Sequence, residues 1–160
     1  MKKILSIAAI LALSLNLSAA TATTNFQVTA TVASSCQINS ASELAFGTYD
    51  PLAATDVEST NTISITCSNG TAYSVGLDGG SSTNVNGRTM AGGTDSLSYT
   101  IYSDAAKTTI WGNTVGTDTM NGTSTSSAST IDLTGYGVLT AGQDVVPDNY
   151  TDTIVATVTY

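Results

Sequence analysis

The sequence predicts an all-β protein, an antiparallel β-sandwich, from three observations. Short stretches alternate apolar and polar residues, which places the apolar side chains on one face of an extended strand. Turn signals such as Asn69-Gly70 and Asp50-Pro51 separate these stretches. No window of about twelve residues shows the 3.6-residue period of an amphipathic helix. Roughly six to nine short strands at this spacing are typical of a sandwich.

The first twenty residues have the pattern of a secretory signal peptide. Lys2 and Lys3 precede the apolar run Ile4–Leu17, and small residues follow it. Cleavage after Ala20 and cleavage after Ala22 fit equally well. An apolar run of this length is shorter than the about 20 residues that span a bilayer, so we expect export without stable membrane insertion. We therefore assign residues 1–20 to the signal peptide.

The remaining residues form one acidic domain with an N-terminal extension, assigned as 21–33 for the extension and 34–160 for the domain. Removal of the leader leaves Arg88 and Lys107 against twelve carboxylates, a formal net charge of −10. A chain of this charge repels nucleic acid and anionic lipid, so neither is an expected partner. Two cysteines remain, and in an exported protein Cys36 and Cys67 are expected to form a disulfide.

The strands follow from the alternation, taken in order. A short strand is expected at Ser34–Ile38, with Cys36 pointing inward, and polar residues 52–61 are interpreted as a loop. Asn69-Gly70 is interpreted as a tight hairpin turn between two strands, and 112–130 as a surface loop. Further strands are predicted at Leu44–Tyr49, Thr62–Cys67, Ala72–Leu77, Arg88–Met90, Leu97–Ile101, Thr108–Trp111 and Tyr150–Tyr160, and Ile131–Leu133 and Tyr136–Leu139 supply one or two more.

Two stretches at opposite ends of the chain have the same pattern. Phe26, Val28, Ala30 and Val32 share one face of the first stretch. The last predicted strand, Tyr150–Tyr160, ends the sequence, and one of its faces carries Ile154, Ala156, Val158 and Tyr160. We expect an empty place beside this final strand, filled by the first stretch of another copy. The alternative is that the first stretch is an ordinary strand of its own sandwich.

The residues give little support for catalysis or for metal binding. The sequence contains no histidine, which excludes Ser-His-Asp and Cys-His catalysis and nearly all zinc sites. The Asp residues lack the spacing of a compact calcium loop, and we expect neither a metal nor another cofactor. Trp111 is interpreted as packing in preference to a sugar-stacking platform. A small β-sandwich hydrolase would need an acid–base pair that no motif identifies.

An ordered set of motifs covers essentially the whole chain after the leader. The motifs are Leu44-x-Phe46-Gly47-x-Tyr49, Ile63-x-Ile65-x-Cys67, Tyr73-x-Val75-x-Leu77-x-x-Gly80, Arg88-x-Met90, Leu97-x-Tyr99-x-Ile101-Tyr102-x-Asp104-Ala105 and Tyr150-x-Asp152-x-Ile154-x-Ala156-x-Val158-x-Tyr160. This ordered set resembles the spore coat U domain family, which includes the pilins of archaic chaperone–usher pili.

The resemblance implies an incomplete immunoglobulin-like β-sandwich that lacks its last strand. A periplasmic chaperone would first lend a strand, and at an outer-membrane usher the extension of the next subunit would replace it. The family pattern makes residues 21–33 the donor strand, with Phe26, Val28, Ala30 and Val32 as its plugs, and it assigns the acceptor groove to Ile154, Ala156, Val158 and Tyr160.

The expected function is that of a non-enzymatic pilus shaft subunit at the cell surface, with roles in adhesion and biofilm formation. Its partners would be other copies or related pilins, the chaperone and the usher. The alternative is a monomeric secreted coat or carbohydrate-binding protein that is completed by its own first strand. Oligomeric state separates the two.

Overall fold

The computed structural model describes residues 18–160. The predicted signal-peptide core, Ile4–Leu17, lies outside these described residues. The chain divides into two units, Met1–Val32 and Ala33–Tyr160. In the first unit, residues 18–32 have no regular secondary structure and every side chain is exposed. We call residues 21–33 the arm.

The second unit is a sandwich of two antiparallel sheets, which confirms the predicted fold class. One sheet has five strands in the order β1-β2-β7-β5-β4, and the other has three in the order β6-β3-β8. A single 3-10 turn, Gly80–Ser82, is the helical element of the described residues. The strands are β1 (Cys36–Ala41), β2 (Val57–Cys67), β3 (Ala72–Leu77), β4 (Arg88–Gly92), β5 (Asp95–Tyr102), β6 (Met120–Thr123), β7 (Ile131–Leu139) and β8 (Ala156–Thr159).

The core lies between the two sheets and is built by the predicted alternation. Inward residues of β2, β5 and β7 face those of β3, because every second side chain of a strand points to the same side of its sheet. Trp111 is fully buried, and its indole N–H donates to the Val75 carbonyl at 2.8 Å, so its predicted packing role is confirmed. The other buried apolar residues are Ile63, Ile65, Cys67, Val75, Leu77, Leu97, Tyr99, Ile101, Leu133 and Leu139.

The disulfide between Cys36 and Cys67 is present and joins two residues that are paired directly across β1 and β2. It therefore attaches the edge strand β1 to its neighbour β2 in the five-stranded sheet. Closing a loop with a sequence separation of 31 residues restricts the unfolded chain, which stabilises the fold by about 3–4 kcal/mol in the chain-entropy treatment.

The turn at Asn69-Gly70 differs from its prediction. Gly70 has a φ of 78°, as a tight turn allows for glycine, but the turn does not form a hairpin. Its flanking strands belong to different sheets, since β2 pairs with β1 and β7 whereas β3 pairs with β6 and β8. Local sequence specifies the reversal of the chain, and pairing with distant strands decides which sheet each strand joins.

Several strand boundaries also differ. Leu44–Tyr49 alternates in burial but forms no ladder with any strand, and Thr108–Trp111 makes a single bridge, between Ile110 and Tyr102. β2 begins at Val57, inside the predicted loop 52–61, because it pairs along its length with β7. The predicted loop 112–130 contains β6, and the two predicted segments after Thr130 form the single strand β7.

The predicted final strand, Tyr150–Tyr160, is interrupted. Thr151 bridges to Ala91 of the five-stranded sheet, whereas β8 pairs with β3 of the three-stranded sheet. The chain therefore crosses from one sheet to the other between these points. Alternation cannot reveal this crossing, because it shows which side chains share a face of a strand but not which strand pairs beside it.

Candidate strand-acceptor groove

Two adjoining cavities open between the sheets of the second unit. The first has a volume of about 500 Å³ and the second about 800 Å³. Both are bordered on one side by the segment 43–46 and on the other by Tyr150 and Thr151. We call the two together the groove.

The floor of the groove is the hydrophobic core. Ile63, Leu77 and Ile101 belong to three different strands, are almost fully buried, and line the first cavity. Leu97 and Leu139 play the same part in the second cavity. In a complete sandwich, side chains of a further strand would cover such residues. The groove therefore reaches down to residues of the core.

One border of the groove is the segment that leads into the edge strand β8. This strand pairs with β3 on one side and, within residues 18–160, with no strand on its other side. Its inward residues are half-buried and pack against the core, whereas Thr157 and Thr159 point outward and are exposed. A free strand edge presents unpaired N–H and C=O groups, which can form a ladder with an added strand.

Of the four residues predicted to line the acceptor groove, two line a cavity and two do not. Ile154 and Ala156 line the first cavity. Val158 is half-buried against the core but lines neither cavity, and Tyr160 is 57% exposed. The structure therefore brings Ile154 and Ala156 together in the groove and leaves Tyr160 at the surface beyond β8.

The opposite border is the segment Leu44–Tyr49. Leu44 and Phe46 lie over Gly137 of β7, where an added Cβ would come within 2.8 and 2.9 Å of their side chains. Phe46 also contacts Tyr99 edge-on, with ring centroids 6.0 Å apart. The alternation of Leu44 and Phe46 pointed to an inward face, but only the structure identifies them as groove residues.

Asp152 fixes the border that leads into β8 to the body of the domain. Its carboxylate accepts hydrogen bonds from the Ser81 N–H and hydroxyl, at 2.9 and 2.7 Å, and from the Tyr99 hydroxyl at 2.7 Å. Burial favours a higher pKa for Asp152, but these hydrogen bonds to the charged form outweigh it and lower the pKa. Burial raises the pKa of Tyr99, and its hydrogen bond to Asp152 raises it further.

Arg88 is fully buried, which its sequence motif did not reveal. Its guanidinium donates to the carbonyls of Leu77 at 3.1 Å, Asp78 at 2.8 Å and Trp111 at 2.7 Å, and more weakly to Val85 at 3.3 Å. Burial lowers the pKa of this guanidinium. The side chain thus joins β4 to the end of β3 and to the chain at Trp111.

The arm shows the exposure expected of a strand without a sheet. Phe26, Val28 and Val32 are 85%, 82% and 92% exposed, and Ala30 is also exposed. Side chains of this kind are normally buried in a folded domain. Their regular spacing makes one apolar face of an extended segment.

Metal binding and membrane spanning were also considered for residues 18–160. Within 18–160, no group of three or more histidine, cysteine or acidic side chains is arranged to hold a metal ion. In the same part of the chain, no helix is long and apolar enough to span a lipid bilayer.

A protein-family model described as the Spore Coat Protein U domain matches residues 22–157. The chain belongs to the Spore Coat Protein U domain family. This membership confirms the resemblance inferred from the sequence motifs. The match begins in the arm and ends within β8, so the Spore Coat Protein U domain includes the alternating arm and the first half of β8.

Two similar proteins agree with this assignment. Protein U of Myxococcus xanthus is 34% identical over 158 residues, which cover 89% of this chain and 87% of that protein. A chain in the crystal structure of the CsuC-CsuE chaperone-tip adhesion subunit pre-assembly complex, from archaic chaperone-usher Csu pili of Acinetobacter baumannii, is 25% identical with a TM-score of 0.56. That similarity covers 81% of this chain and 40% of the other chain, so the present chain spans less than half of its length.

Proposed function

We propose that this protein is a structural subunit of a cell-surface pilus that polymerises by donor-strand complementation. In this proposal, the arm of one copy fills the groove of the next, with Phe26, Val28, Ala30 and Val32 facing the core. The observation that carries the proposal is the coexistence, in one chain, of an exposed alternating arm and an open core beside an unpaired strand edge.

The energetics support an exchange of strands between copies. Burying the four plugs contributes about 6–8 kcal/mol before the costs of association, at typical values per apolar side chain. Each added ladder hydrogen bond contributes about 0.5–1.5 kcal/mol. Because the arm and the groove are different surfaces of one subunit, the contact does not close on itself and propagates as a fibre.

The proposed route to the surface is the one that the resemblance to chaperone–usher pilins implies. A free strand edge is liable to aggregate, and in this route a temporary strand from a periplasmic chaperone covers it before an outer-membrane usher adds the subunit to the fibre. The CsuC-CsuE complex, which contains a chaperone and a pilus subunit, supports this order. We place residues 1–20 as the export signal, and adhesion and biofilm formation as the roles of the fibre.

The alternative is a monomeric coat protein, and the description of the family as a spore coat domain favours it. In that case the groove would be filled by the chain's own arm. Sugar binding has weaker support, since Trp111, the single tryptophan, is fully buried and cannot stack on a carbohydrate.

Matched variants of the arm separate these functions. Val28→Asp places a charge on the plug face, whereas Thr29→Asp places the same charge on the opposite face. We expect the wild-type mature protein and the Thr29→Asp variant to form linear polymers in light scattering and electron microscopy. The Val28→Asp variant should remain monomeric, because burying an unpaired carboxylate is strongly unfavourable.

A peptide of residues 23–33 then tests the groove directly. Added to the Val28→Asp protein, it should raise the melting temperature, since a ligand that binds only the folded state stabilises it. A peptide that itself carries Val28→Asp is the control. Monomeric wild-type protein, together with no response to the native peptide, would refute strand donation between copies.

A further inference from the structure

The first cavity of the groove contains one polar residue that the fold leaves unsatisfied. Asn61 lies on the inward side of β2, in line with Ile63 and Ile65, and its side chain borders the cavity. Its Oδ1 is buried and, within residues 18–160, is the one buried side-chain oxygen or nitrogen without a hydrogen-bond partner. A buried acceptor in this state costs free energy, so its retention at a binding surface calls for a partner.

The surroundings of Asn61 explain why the fold supplies none. Its Oδ1 lies against Gly135, the residue paired with it across β2 and β7, in the space that a Cβ would occupy. The side chains of Ile101 and Trp111 are the other neighbours of this space, at 3.3 and 3.4 Å, and their near atoms are carbon. On its other side, the Asn61 amide N–H group reaches the Ser42 carbonyl at 3.4 Å, near the limit of a hydrogen bond.

We propose that Asn61 is a specificity-determining residue that selects a small or hydroxyl-bearing side chain at one plug of the incoming strand. This inference rests on the proposed function. A large apolar plug over Asn61 would leave its buried carbonyl oxygen without a hydrogen-bond partner. A small plug leaves room for water, and a hydroxyl plug can donate to Oδ1 directly.

The arm of this protein has the composition that such a site requires. Its plug face contains three large apolar residues, Phe26, Val28 and Val32, and one small residue, Ala30. We therefore assign Ala30 to the position that faces Asn61. The partner that fits is an extended strand with apolar plugs and a single Ala, Ser or Thr at this position, as a second copy of this chain provides.

Threonine and valine have nearly the same shape and differ by a hydroxyl, so exchanging them isolates the hydrogen bond. The acceptor is the full mature chain carrying Val28→Asp, which disables its own arm, with either Asn61 or Asn61→Leu. Labelled peptides of residues 23–33 carry Ala30→Thr or Ala30→Val, and binding is measured by fluorescence anisotropy. Peptides with Val28→Thr and with Val32→Thr are the matched controls.

With Asn61, the Ala30→Thr peptide should bind about two- to tenfold tighter than the Ala30→Val peptide, the ratio that one net hydrogen bond supplies. With Asn61→Leu the preference should reverse. Threonine in place of Val28 or Val32 should weaken binding to both acceptors. Binding of the native peptide to the Asn61→Leu acceptor verifies that this variant is folded, and Asn61→Ser replaces it if binding is lost.

The outcomes separate this inference from the proposed function. If the native peptide binds but the preference at position 30 is the same with both acceptors, Asn61 does not select the plug and the inference is wrong. A reversal at position 28 or 32 overturns the assignment of Ala30. Failure of every peptide to bind either acceptor refutes strand donation, and the inference with it.

Discussion

Replacing Arg88 with methionine should destabilise the domain strongly. Methionine keeps a long flexible side chain but removes every donor of the guanidinium. The two most enclosed acceptors, the carbonyls of Leu77 and Trp111, would then lose their charged donor. At about 1–3 kcal/mol for each buried group left unsatisfied, and with partial compensation from the apolar replacement, we expect a loss of about 3–5 kcal/mol. Small domains have about 5–15 kcal/mol of stability in total, so the effect is large.

Urea unfolding followed by fluorescence measures this loss, because the buried Trp111 becomes exposed to water when the domain unfolds. Lys107→Met is the matched control. It removes the other positive charge of the mature chain, but Lys107 is paired with Glu58 near the surface, where an ion pair contributes about 0–1 kcal/mol. Equal losses in the two variants would refute the reasoning, since they would show that charge, and not the buried hydrogen bonds, determines the effect.

Two further predictions concern the border of the groove and the disulfide. Asp152→Asn should lower stability by about 1–2 kcal/mol at neutral pH, because it weakens the bonds to Ser81 and Tyr99. The pKa of Asp152 is lowered in the folded state, so its contribution is present above the unfolded value of 3.8 and is lost as the pH falls through the folded pKa. Thermal melts between pH 7 and pH 2 should therefore converge for variant and wild type, and a constant difference would contradict this. Replacing both Cys36 and Cys67 with serine should reduce the free energy of unfolding by about 3–4 kcal/mol in urea titrations. A loss below about 1 kcal/mol would mean that the unfolded state is not restricted by the link.

The sequence predicted the local features of the core with good accuracy. Alternation in Thr62–Cys67, Ala72–Leu77 and Leu97–Ile101 placed the correct side chains inward, because a strand that buries one face must alternate whatever its neighbours are. The disulfide was predictable for a comparable reason: two cysteines in an exported chain allow one pairing.

The pairing of strands was harder to predict from the sequence. The turn at Asn69-Gly70 looked like a hairpin, yet its strands lie in different sheets, and Leu44–Tyr49 looked like a strand but joins no ladder. Hydrogen bonds between strands connect residues far apart in sequence. A local pattern therefore does not show which strands pair with each other.

By itself, the sequence determined the fold class, the alternating arm, the disulfide and the absence of histidine chemistry. Each of these depends on residue type and on spacing of a few residues. Only the tertiary structure decided where a cavity reaches the core, that Arg88 is buried among carbonyls, and that Asn61 borders the cavity with its Oδ1 unpaired. The physical reason is that burial and hydrogen-bond satisfaction depend on what the rest of the chain brings to a site, and at this groove it leaves a cavity beside the core.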